Sequence, residues 1–147
     1  MSVTPNNITH PSHRNIPHGR NQHYPGVSPF DAQVLRSRAI APEVAAARGT
    51  RTAGNRMIIP LWNTQGETGP EQYRPHNPTP GEDGKVRKYL FATGTRLIVD
   101  VNPLSLPSLD KVHIPLIITE SALKEDAILS AIVPGTSCVV SVSGVDG

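Results

Sequence analysis

Cysteine is almost missing from this sequence: Cys138 is the only one among 147 residues. That excludes an intramolecular disulfide and a cysteine-rich zinc site, and a lone thiol inside an apolar run fits a reducing compartment. Aromatic residues make up only 4% of the chain, which argues against an extensive base-stacking surface. No apolar run reaches membrane-spanning length, and the first residues lack the apolar segment of a secretory signal. A cytoplasmic location is therefore expected. Charge of one sign is not abundant either. The formal net charge is +2 with a pI near 8.9, which permits a nucleic-acid partner without demonstrating one.

Acids are absent before Asp31, while prolines and histidines are frequent there. Residues 1–29 hold Pro5, Pro11, Pro17, Pro25 and Pro29 with His10, His13, His18 and His23, and almost no aliphatic periodicity. Such a segment buries too little apolar area to offset its ordering entropy, so a disordered, weakly basic tail is expected. The histidines alone do not make a metal site, because no cysteine or carboxylate completes a ligand set.

From residue 30 to 54 the pattern becomes helical. Val34, Leu35 and Ala39-Ile40 suggest one apolar face, and Pro42 opens a second helix that Gly49 closes. Arg48, Arg51 and Arg56 follow closely; they read either as phosphate contacts or, more commonly, as a solvated face. Residues 55–112 read as a β-rich basic region. Met57 to Trp62 is a strand, with Pro60 pointing to an edge position or an irregularity. Gln72-Tyr73-Arg74, Tyr89-Leu90-Phe91 and Arg96 to Val101 are further strands. Arg74, Arg87 and Lys88 fall near one another in such an antiparallel layout and are candidate nucleic-acid contacts. The alternative is a solvated hairpin balanced by Glu67, Glu71, Glu82 and Asp83. Tyr73 and Tyr89 read as base-stacking groups or as packing residues of a small core.

Residues 113–147 organise the rest. Leu116-Ile117-Ile118 is a continuous apolar run that suits a strand buried on both faces, and it ends at Glu120. A helix over Ser121 to Ser130 and a second apolar run from Cys138 to Val142 then complete a parallel β-α-β unit. Glu120 thereby falls at the carboxyl end of a strand, where open α/β sheets place their ligand sites. A plainer role is also open to it, as a strand-end acid capping the next helix. Asp146 lies near Gly144 and reads as an ordinary turn aspartate or as a partner to Glu120.

Three segments together resemble a known family. They are Arg38 to Gly49, the Ile59-Pro-Leu-Trp-Asn-Thr-Gln-Gly66 to Gln72-Tyr-Arg-Pro75 hairpin, and Lys88-Tyr89 leading to Ile118-Thr-Glu120. Their order and spacing resemble the TOPRIM-like domain of unknown function in replication proteins of plasmids, phages and other mobile elements. More distantly, they are similar to the catalytic core of bacterial replicative primases. The resemblance covers roughly residues 30–147. It implies a mixed α+β and α/β architecture: disordered tail, helical hairpin, basic β-rich subdomain, then an incomplete TOPRIM-like β-α-β unit.

The same resemblance implies roles. Glu120 matches the TOPRIM glutamate, which acts as an acid/base or helps organise divalent metal, and Gly144 matches the glycine turn after the second strand. Arg74 and Lys88 match positions facing nucleic acid or nucleotide. Ser121 departs from the family glycine, and the Asp-x-Asp metal motif is absent, so Glu120 alone gives an incomplete site. The chain is thus expected to be the N-terminal portion of a primase-type nucleotidyltransferase of a mobile element. Mg²⁺ is expected only in a complete protein. Single-stranded DNA or nucleotides are the implied partners, with a helicase module as a further one. The alternatives are a non-catalytic nucleic-acid-binding or adaptor domain, and a decayed fragment with apolar surface exposed near Val139-Val140.

Overall fold

The computed structural model describes residues 22–143. The expectations for His10, His13, His18, Gly144 and Asp146, and for most of the N-terminal tail, lie outside them.

Helix α1 spans Pro29–Ser37. Ser28 caps it by accepting from the Asp31 N–H at 3.2 Å, and Pro29 occupies the first turn, where no N–H is needed. Helix α2, Pro42–Arg48, likewise opens on proline and closes on Gly49. Gly49 has φ 84°, the left-handed conformation in which its N–H turns back to Ala45 and Ala46. Packing begins before α1: Tyr24 is buried and donates its hydroxyl to the Ile40 carbonyl at 2.6 Å. The ordered structure therefore reaches into the segment expected to be tail.

A four-stranded antiparallel sheet follows, in order β1 (Arg51–Ala53), β2 (Arg56–Trp62), β3 (Thr68–Pro75) and β4 (Leu90–Phe91). Pro60 lies in β2, between two neighbouring strands rather than at an edge. It is tolerated because β1 pairs only with Arg56 to Ile58 and the register with β3 shifts between Pro60 and Trp62. Alternation along β2 turns Met57, Ile59 and Leu61 onto the face covered by α1 and α3, where they join Leu35, Ala122 and Leu123 in one core.

The second sheet has the order β5 (Val99–Asp100), β7 (Cys138–Val142), β6 (Leu116–Thr119). Strands β6 and β7 are parallel and joined through α3 (Ala122–Ala131), the expected β-α-β unit. Two details differ from the sequence reading. The strand expected over Arg96 to Val101 is only Val99–Asp100, and it pairs with β7 rather than with the basic β-rich region. Strand β6 is not buried on both faces. It lies at the sheet edge, with Leu116 and Ile118 exposed, and β7 takes the enclosed central position. Val139 and Val140 are buried, so the exposed apolar row is Leu116, Ile118, Val142 and Val99 instead.

The two sheets are tied by a buried ionic cluster. Arg48, at the end of α2, is fully enclosed. Its Nε lies 2.8 Å from the Asp126 carboxylate, Nη1 2.8 Å from Asp100, and Nη2 3.1 Å from Glu125. This overturns the reading of Arg48 as a surface or phosphate-binding charge. Its neighbours are occupied differently: Arg51 pairs with Glu71 on the surface, and the Arg56 guanidinium lies 5.0 Å from the Tyr73 ring centroid. Asp100 also accepts from the Trp62 backbone N–H at 2.8 Å and from the Ser141 hydroxyl at 3.0 Å. One guanidinium thus fastens α2, β2, β5 and α3 together.

Candidate nucleic-acid interface

A cleft of about 550 Å³ opens between the four-stranded sheet and the β6–α3 junction. Each wall comes from a different element. Gln72 of β3 and Phe91 of β4 are cross-strand partners and form its floor. Arg87, Lys88 and Tyr89 enter on the segment preceding β4, and Arg38 reaches in from the end of α1. Glu120 and Ser121 contribute from the end of β6, and Lys124 from the first turn of α3. The volume lies in the range of small-ligand sites.

The cleft's charge is mostly positive. Lys88 forms no hydrogen bond or ion pair with the described residues, and the Arg38 guanidinium sits 5.6 Å from the Tyr89 ring centroid. Arg87 forms a forked pair with Asp83 at 3.0 and 2.8 Å, which holds the Asp83 carboxyl below its ordinary range. Glu120 is largely exposed and paired with the Lys124 ammonium one helical turn on; that hydrogen bond lowers its pKa.

The reading of Glu120 as the helix cap is corrected: Ser121 is the cap, accepting from the Lys124 N–H at 3.4 Å. Its backbone is extended, with φ −157° and ψ 150°, so serine is accommodated here without the left-handed turn that would call for glycine.

Three of the residues singled out from the sequence, Arg87, Lys88 and Glu120, therefore meet in one cleft. Arg74 does not line it. It shares the face of Gln72 on β3, two residues on, and its Nε and Nη1 are enclosed without a hydrogen-bond partner among the described residues. Tyr89, immediately before β4, likewise has an enclosed hydroxyl without a hydrogen-bond partner among the described residues. Sequence reasoning missed Arg38 and Lys124 as site residues. The Glu120-to-Lys124 spacing of one helical turn was a usable signal for the latter; nothing local marks Arg38.

The described residues do not fit a Mg²⁺ site. Glu120 is the sole carboxylate lining the cleft, its charge is engaged by Lys124, and no cluster of three acidic, histidine or cysteine ligands forms among the described residues. The other nearby acids of α3, Glu125 and Asp126, face Arg48 instead.

A solved structure described as the structure of the DnaG catalytic core is similar to this chain, with a TM-score of 0.55 at 14% identity. The similarity covers 80% of this chain and 48% of that one, so this chain spans about half its length. The fold is thus primase-like. No protein-family model matches the chain, and no curated protein matches it. Among the described residues no helix is long and apolar enough to cross a membrane.

Proposed function

We propose that this chain is the N-terminal portion of a TOPRIM-like, primase-type replication protein of a mobile element, acting in the cytoplasm, and that its cleft binds single-stranded DNA or nucleotides through their phosphates. The observation that carries the reading is the convergence of Arg38, Arg87 and Lys88 around Tyr89 and Phe91 at the carboxyl end of β6, in a primase-like fold. The unpartnered hydroxyl of Tyr89, which lines the cleft, supports it, because an enclosed donor without an acceptor is costly and a phosphate-rich ligand supplies acceptors. In a longer chain with further carboxylates, Mg²⁺ would supply charge stabilisation for nucleotidyl transfer, and a helicase module would be a natural partner. Within the present residues, the role of Arg38 and Lys88 is to hold the strand.

Titration of a fluorescein-labelled oligothymidine in increasing salt tests this. Binding should weaken steeply with salt, and Lys88→Ala or Arg38→Ala should each flatten the slope. Binding indifferent to both substitutions would refute the reading. A second reading, a binding or adaptor domain without metal chemistry, is favoured by the pairing of Glu120 with Lys124. Nucleotidyl transfer by this chain that Glu120→Gln abolishes would remove it.

A further inference from the structure

We infer that Glu120 in this chain is a counter-charge that holds Lys124 away from the ligand, so that it restrains anion binding in the cleft instead of recruiting a divalent cation to it. The inference rests on the phosphate-binding reading of the same cleft. Lys124 lies in the first turn of α3, where the positive end of the helix dipole disfavours a cation. What occupies its ammonium is the Glu120 carboxylate, which arrives from the end of β6 and is the cleft's sole acid. Ser121 supplies the helix cap, so Glu120 is not needed for that purpose. Both side chains are more than half exposed, which leaves the pair able to separate when a stronger anion approaches. Removing the carboxylate therefore adds one available cation to a cleft already lined by Arg38, Arg87 and Lys88.

The test is anisotropy titration of a fluorescein-labelled twelve-residue oligothymidine with the full chain, in EDTA and in millimolar Mg²⁺. Glu120→Gln should tighten binding roughly three-fold at low salt, and the slope of log affinity against log salt should steepen by about 0.7, the value of one added single-strand phosphate contact. The double variant Glu120→Gln with Lys124→Met should return to the wild-type affinity and slope. Mg²⁺ should not tighten wild-type binding relative to EDTA. Glu120→Gln binding equal to or weaker than wild type, or wild-type binding that requires Mg²⁺, overturns the inference. Lys88→Ala separates the two failures. If Lys88→Ala weakens binding while Glu120→Gln fails to tighten it, only the counter-charge role falls. If Lys88→Ala binds like wild type, the binding reading falls and this inference with it.

Discussion

Arg48 on α2 donates from Nε to Asp126 on α3 at 2.8 Å across 78 residues of sequence, with both side chains fully enclosed. Burial alone would lower the arginine's pKa. The neighbouring acids, Asp126 first and Asp100 next, outweigh it, and the group stays charged. Replacing Arg48 with methionine leaves those buried acids without their cation. A loss of about 3–5 kcal/mol is expected, as for other buried pairs broken from one side. Urea unfolding of Arg48→Met measures it; a change below 1 kcal/mol, by order of magnitude, would show that the cluster does not tie the sheets together.

The same cluster sets a pH dependence. Burial pushes the Glu125 carboxyl up from 4.5 to about 9; Arg48 opposes this, and the neighbouring Asp100 and Asp126 add to it. Asp126 is raised too, first by burial. The native cluster thus holds a proton at neutral pH that the unfolded chain has released. Because the folded-state pKa is the higher one, this contribution to stability is full below about 4.5 and is lost as pH rises through about 9. Urea midpoints should fall from pH 6 to pH 9 in the wild type, and Glu125→Gln should flatten the fall. A wild-type midpoint that rises over this interval would contradict the assignment.

Ile118 and Val140 are partners in the parallel ladder, yet Ile118 is 63% exposed and Val140 only 5%. Threonine at Ile118 should change stability by about 0.5 kcal/mol or less, while threonine at Val140 buries a hydroxyl and should cost about 1–3 kcal/mol. Comparable losses at the two positions would mean that the outer side of β6 is covered.

The Tyr24 hydroxyl answers the Ile40 carbonyl at 2.6 Å. Tyr24→Phe leaves that buried acceptor unpaired and should cost about 1–2 kcal/mol. Thermal melts would show it, and an unchanged melting temperature would make the segment before α1 dispensable to the core.

Much of this architecture was legible locally. Pro42 and Gly49 bracket α2 because each supplies backbone geometry its position demands, and the two apolar runs flanking α3 required a parallel crossover. Arg48 was not legible: an arginine ending an alanine-rich helix looks like a solvated cation, and its acidic partners lie 52 to 78 residues away. The exposure of Leu116 and Ile118 was equally hidden, because an apolar run carries no mark of whether its strand is central or at an edge. At the cleft, Arg87 and Lys88, singled out as basic residues leading into a strand, and Glu120, singled out as a strand-end acid, line one cavity. Arg38 reaches the site only through the packing of α1, and Arg74 stands on the right face but outside the lining.

The most direct test of the central claim is to map single-stranded DNA onto the chain by amide chemical shifts in an NMR titration with oligothymidine. The account predicts the largest changes at Lys88 to Phe91, at Ser121 to Lys124 and at Arg38. Changes concentrated instead around Arg51 and Glu71, or none at saturating oligonucleotide, would contradict it.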